Sequence, residues 1–379
     1  MYRLLALVSL GILAPLFTIA LVACSGPPPA ARSGAAPLAA TPVSPGRADA
    51  PPAATAAASS PSTLATAPVK VRVGVLGLVG EAALYVALDK GYFRAQELDV
   101  ELVHFNQTTD LLPALTTGQI DFAASGMYPN IFNAAERAIA VKIVSYLAVV
   151  TPRSTSAGIV VRQDHIDSGR YREPGDLKGM TVALGNPPGG TTHYYLERFA
   201  TQAGITVDDV NMTLVPSPQM PVALANKAID AAYAVEPFIS VAEQQGSAKF
   251  VVPNGQFIAG MPVFVLQISP IFAHDQPAAA ERFVFAVLQG QRFHYNAVMR
   301  GDGVEELYTI LQNHTPVKDT TLLARMSTDA VPADGAMDPG PLLELQDAYV
   351  RYGTVRQRAP INEILDPSYA ARAVQRLTR

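Results

Sequence analysis

The sequence predicts an α/β protein whose two similar lobes face each other across a cleft. Three observations carry that reading. They are a β-α-β-α-β series from Val69 to Gly126, a second such series from Met180 to Glu236, and two apolar runs, Ser156–Val161 and Met261–Ile268, flanking the second series. Each series implies a parallel sheet covered by helices, because strands joined through a helix run the same way. The flanking runs read as two crossing strands that carry the chain out to lobe two and back. Lobe one is then residues 69–155 and 262–379, and lobe two is residues 156–261.

In chain order, the first element is a secretory leader. Arg3 precedes the apolar run Leu4–Val22, and small residues lead to Cys24, the order of n-region, h-region and cleavage site. The stretch Leu21-Val22-Ala23-Cys24 resembles the lipobox of bacterial lipoproteins. That resemblance implies removal of residues 1–23 and a lipid on Cys24 as the new N-terminus. The competing reading is a plain signal peptide containing one buried thiol; a transmembrane helix is disfavoured because no basic flank follows. Cys24 is the only cysteine, so disulfides do not staple the fold.

Residues 24–68 read as a tether. From Pro27 to Pro68 the chain is mostly Pro, Ala, Ser, Thr and Gly, charged only at Arg32, Arg47 and Asp49, with no aromatic residue. Such a composition cannot bury enough apolar area to offset its chain entropy. The expected location is the extracytoplasmic face of the cell membrane, held there by the N-terminal lipid. Losing residues 1–23 takes Arg3 from the 28 basic side chains and leaves 27 against 32 acidic ones, a net charge of −5. No basic stripe is available to neutralise phosphates, which argues against a nucleic-acid partner.

The folded part opens with Val69–Leu76, alternating and then wholly apolar, a strand entering a buried sheet. A turn at Gly77–Gly80 leads to a helix over Glu81–Lys90, closed by Gly91. Asp99–His104 is a strand, Asp110–Gly118 a helix with Pro113 in its first turn, and Gln119–Ala124 a strand closed by Ser125-Gly126. In the second series, strands are expected at Met180–Leu184, Met212–Val215 and Ile229–Ala234, with helices at Thr191–Ala203 and Pro221–Ala228. From Gln276 onward the chain reads as helices packed on lobe one.

Four short stretches, taken in order, are similar to a known family. They are Ala87-Leu-Asp-Lys-Gly-Tyr-Phe93, Leu115-Thr-Thr-Gly-Gln-Ile-Asp121, Asp176-Leu-Lys-Gly-Met-Thr-Val182 and Glu236-Pro237-Phe238, with Asp366-Pro-Ser-Tyr-Ala370 near the end. Together they resemble the periplasmic substrate-binding proteins of ABC importers, in the group serving nitrate, aliphatic sulfonates, taurine, thiamine-precursor pyrimidines and riboflavin. The resemblance implies a two-lobed periplasmic binding protein fold of type II with two crossing hinge strands. It also implies a small-molecule solute in the cleft, binding without catalysis or cofactor, and an ABC permease with its ATPase as partners. Proteins of this kind act as monomers.

Ligand-binding candidates sit where strands end at the cleft. In lobe one they are Glu81 and Tyr85, Asn106 after the second strand, and Ser125, Gly126, Met127 and Tyr128 after the third. Glycine admits close backbone approach, and Met and Tyr supply apolar contact. The plain alternatives are a surface turn at 125–128 and a turn residue at Asn106. In lobe two, Gly190, Thr191, Thr192 and His193 open a helix whose free N–H groups suit an acidic or polar oxygen. The alternative there is an ordinary Thr-capped helix. Tyr233 and Phe238 offer stacking surface. Glu236 reads either as an acceptor for a ligand donor or as a structural acid near the hinge.

With no Arg or Lys in these stretches, a small anion is disfavoured beside Glu236. The expected ligand is a flat heteroaromatic vitamin or precursor, of the riboflavin or thiamine-pyrimidine class. The alternative is an aliphatic sulfonate, taurine or nitrate, and a further one is an enzyme resembling thiamine-pyrimidine synthase. Gly74, Gly77 and Gly80 imitate a dinucleotide turn with the wrong spacing. The six histidines are too scattered for a metal site.

Overall fold

The computed structural model describes residues 67–332 and 334–378. The leader, Cys24 and nearly all of the tether lie outside the described residues.

The chain first lays down β1 (Val69–Val75), α1 (Ala82–Asp89), β2 (Leu98–His104), α2 (Leu111–Thr116), β3 (Phe122–Gly126), α3 (Pro129–Glu136) and β4 (Lys142–Val149). It then crosses to β5 (Ala157–Arg162), β6 (Thr181–Leu184), α4 (Thr191–Gln202) and β7 (Asn211–Leu214). Next come α5 (Met220–Ala225), β8 (Ala231–Val235), α6 (Phe238–Gln244) and β9 (Ala248–Pro253). It returns through β10 (Pro262–Ile268) to the helices α7 (Pro277–Arg300), α8 (Val304–His314), α9 (Thr320–Met326) and α10 (Gly340–Arg351).

The two five-stranded sheets share one plan, with orders β2-β1-β3-β10-β4 and β7-β6-β8-β5-β9. In each, three parallel strands are followed by one reversed strand, β10 or β5, and an edge strand, β4 or β9, antiparallel to it. The flanking runs expected to cross do not pair with each other. β5 joins the second sheet and β10 the first, and the crossings themselves are the short segments 150–156 and 254–261.

β4 and β9 were absent from the sequence expectation. Nearly every residue of β4 is buried, so it lacks the alternation that marks a half-exposed strand. β9 is short and ends in Pro253.

Val71, Val73 and Val75 of β1 are fully buried, as their alternation requires. Phe283 on α7 stacks on Phe122 at 4.0 Å and Phe93 at 4.8 Å, tying the long helix to the first sheet. Helices α1 and α7 approach so closely that a Cβ at Gly290 would lie 2.1 Å from the Ala83 carbonyl oxygen. Only glycine fits there.

The C-terminal helices do not all rest on lobe one. On α10, Tyr349 meets the lobe-one ring of Phe132 edge-on at 5.5 Å. The same helix accepts a hydrogen bond at Glu344 from Tyr194 (3.0 Å) and pairs Arg351 with Glu197 (2.7 Å), both on α4. It straps the two lobes together. Among the described residues no helix is long and apolar enough to cross a membrane, and no His, Cys, Asp and Glu cluster could hold a metal.

Candidate ligand-binding cleft

The C-terminal ends of parallel strands from both sheets meet at a cavity of about 330 Å3, the place where open α/β sheets take ligands. Lobe one contributes Leu78–Gly80 after β1, Gly126–Tyr128 after β3, and Phe264 of β10. Lobe two contributes Asn186, Thr192, Tyr195, Ser217, Tyr233 and Glu236. The crossings supply Ser156 and Asn254, and the segment after α9 supplies Ser327 and Asp329. No Lys, Arg or His is among the lining residues.

Of the residues selected from sequence, Gly126, Met127, Tyr128, Thr191, Thr192, Tyr233 and Glu236 line this cavity together. The rest lie elsewhere. Glu81 is fully buried beneath the 76–80 loop, where it accepts from the backbone N–H of Leu76 (2.7 Å) and Leu78 (2.8 Å) and from the Tyr85 hydroxyl (2.5 Å). Burial pushes its carboxyl up, against those bonds. Tyr85 is also fully buried and stacks on His314 of α8 at 4.7 Å. Burial above all, with the neighbouring Glu81 charge, drives the Tyr85 hydroxyl far up.

Ser125 is spent on Gln267 of β10 (3.1 Å). Asn106 is exposed and Phe238 half-buried, and neither lines the cavity. Gly190 caps α4 with no side-chain acceptor. His193 faces the strap rather than the cleft. Its ring stacks on Tyr352 at 4.2 Å, its Nδ1 accepts from Gly189 N–H (2.9 Å), and burial holds its pKa down.

Thr191 bridges the lobes. Its hydroxyl donates to the Met127 carbonyl at 2.6 Å and lies 2.7 Å from the Tyr349 hydroxyl. Thr192 Oγ1 accepts from Asn186 N–H (3.3 Å).

Glu236 does not offer a free carboxylate. Its oxygens accept from Ser240 N–H and Ser240 Oγ (both 3.0 Å) and pair with Arg325 Nε at 2.8 Å. Burial raises its carboxyl, while Ser240 and Arg325 pull it back. Arg325 also holds Glu243 (3.2 Å) and lies over the Phe250 ring. The expectation of an uncompensated acid beside the ligand is therefore corrected: a cation 89 positions downstream neutralises it, and sequence spacing carried no sign of the pair.

The acid that sequence reasoning missed is Asp329. Ser156 Oγ donates to its Oδ2 at 2.6 Å, while its Oδ1 is closed from solvent with no partner. Burial pushes the carboxyl up to about 6, against the nearby Ser154 and Ser156 hydroxyls.

The raised value fixes the sign of a pH effect. Folded protein holds the Asp329 proton up to about pH 6, whereas an unfolded Asp releases it near 4. The stability this proton contributes is complete below pH 4 and lost as pH rises through 6, on the order of 2–3 kcal/mol. Asp329→Asn lacks this loss. Its melting temperature is expected to gain on wild type steadily from pH 4 to pH 7 and then level off. A difference independent of pH would place the titration elsewhere.

Comparison with known proteins gives this geometry a family. The model of the NMT1-like family matches residues 65–305. An Escherichia coli (strain K12) protein, provisionally named as binding aliphatic sulfonates, is 30% identical over 217 residues. That match covers 57% of this chain and spans only 62% of the relative's length. The nitrate-binding protein NrtA of Synechocystis PCC 6803 superposes with a TM-score of 0.64 at 17% identity, covering 82% of this chain and 89% of its own. The desulfurization enzyme DSZB superposes at 0.60 with 15% identity, over 82% and 99% of the two chains. These likenesses carry the fold, which is that of the type II periplasmic binding proteins. By its sequence from residue 65 to 305, the chain belongs to the NMT1-like family.

Proposed function

We propose that this protein is the lipid-anchored, extracytoplasmic solute-binding component of an ABC importer. In this reading the interlobe cleft takes a small flat heteroaromatic solute of the riboflavin or thiamine-pyrimidine class. One observation carries the ligand class: the 330 Å3 cavity is walled by Tyr128, Tyr195, Tyr233 and Phe264 and has no cationic side chain in its lining. Tyrosine faces stack on flat rings, and an inorganic anion finds no counter-charge there.

Binding closes the lobes about the 150–156 and 254–261 crossings, shifting a population of open and closed states rather than driving chemistry. Delivery would fall to a permease and ATPase encoded elsewhere. Binding rather than catalysis is the function proposed, in keeping with the relatives named for binding.

A second reading rests on separate support. The relatives described above are named for aliphatic sulfonates and nitrate, and α4 begins with a glycine cap and no side-chain acceptor for its first N–H groups. Such an end accepts an anion.

The test between them is a thermal-shift screen of the full-length protein against riboflavin, thiamine pyrimidines, taurine, alkanesulfonates and nitrate. A ligand of the folded state raises the melting temperature by mass action. The expected result is a rise with a flat heteroaromatic and none with nitrate. A rise with sulfonate or nitrate alone would transfer recognition to the start of α4. The anchor has its own test: Cys24→Ala is expected to move the protein from the membrane fraction to the soluble one, and continued membrane association would rule the lipid out.

A further inference from the structure

Two buried oxygens on residues that line the cavity have no hydrogen-bond donor, and we infer that the solute brings it. The cleft is built for a ligand presenting amino or amidino N–H groups to Asp329 and Asn254. This deepens the reading above and rests on the cleft being the binding site.

Asn254 is 1% exposed, and its side-chain oxygen has no partner. Its amide nitrogen donates to Ser156 Oγ at 3.4 Å, and Ser156 in turn donates to Asp329 Oδ2 at 2.6 Å. The bonds all run toward the carboxylate. That direction uses one of the two Asn254 amide N–H donors and the Ser156 O–H, and leaves one unpaired acceptor at each end, Asn254 Oδ1 and Asp329 Oδ1.

Buried acceptors are normally paired, and leaving one unpaired in the folded state is costly. Two joined through a single serine, on residues that line the same cavity, form one acceptor site. Arg325 is already held by Glu236 and Glu243. A carboxylate, sulfonate or nitrate would only add acceptors. An amino or amidino group carries at least two N–H donors and no competing charge. Tyr195 and Tyr233, with rings 5.5 Å apart, stand at the same cavity and favour a flat, electron-poor or cationic group. Both oxygens are closed to solvent with the lobes as they stand, so the side chains around them must move to admit the donor.

Benzamidine and benzoate test this directly, being flat rings of nearly the same shape with opposite charge. Calorimetry and melting shifts would be measured on the full-length protein and on Asp329→Asn, Asn254→Ala and Tyr233→Ala. Wild type is expected to bind benzamidine at least about tenfold more tightly than benzoate. Asp329→Asn and Asn254→Ala should each shrink that preference several-fold, and Tyr233→Ala should weaken benzamidine without creating a preference for benzoate.

Wild type that favours benzoate, or binds neither probe at millimolar concentration, overturns the inference. So does a preference that survives both Asp329→Asn and Asn254→Ala. If benzamidine binding needs Tyr233 but its preference ignores Asp329 and Asn254, the donor site alone fails and the cleft stands. If Tyr233→Ala changes nothing, the probe lies outside the cleft and the broader reading falls with it.

Discussion

Each sheet of this protein is completed by a strand that arrives from the other half of the chain. β10 reaches β3 and β4 only after the chain has built lobe two, and β5 reaches β8 and β9 straight from lobe one. The two crossings are therefore held by sheet hydrogen bonds on both sides. They keep the strand ends of both sheets facing one cavity, and Ser156 and Asn254 lie on those crossings. The α10 strap adds a further link: Tyr349 and Thr191 meet over the Met127 carbonyl, joining residues from both lobes and the C-terminal segment. One buried apolar cluster runs from Phe132 and Tyr146 through Tyr349 to Tyr194 and Phe199, so the lobes share packing behind the cavity.

The electrostatics of the cavity follow from where its acids are held. Glu236 is supported by Ser240 and Arg325 and behaves as a structural acid at the edge of the cleft. Asp329 has only hydroxyl donors near it, which is why burial dominates and its carboxyl is raised. A site whose charge is supplied by a buried acid and whose walls are tyrosines differs in kind from a site built of Arg and Lys. The shared fold with nitrate- and sulfonate-named proteins places the cleft, while the side chains around it decide what enters.

Much of this architecture was legible in the chain. Alternation in Val69–Val75, glycine punctuation at Gly77, Gly91 and Gly118, and the repeated β-α-β order located β1 to β3 and β6 to β8 within a few residues. β4 was not legible, because a strand buried on both faces has no two-residue period. At the site, local reading found Tyr128 and Thr192 because they follow strand ends, and Tyr233 because it lies on β8 near its C-terminal end. It could not find Arg325 or Asp329, which come from a segment about sixty residues beyond β10 and reach the cleft only through tertiary packing. For the same reason Glu81 was chosen for its place in sequence, although it faces inward and holds the loop instead of the ligand. His193 was drawn to the helix start by position, and the strap, invisible in sequence, takes its ring.

The central claim is that the interlobe cleft holds a small flat solute through its tyrosine wall. Native mass spectrometry of protein purified gently from its own cells reads this without prior choice of ligand. The account predicts one small adduct of aromatic composition on the wild type and its loss from Tyr233→Ala. A bound sulfonate or nitrate, or an aromatic adduct that survives Tyr233→Ala, would contradict it.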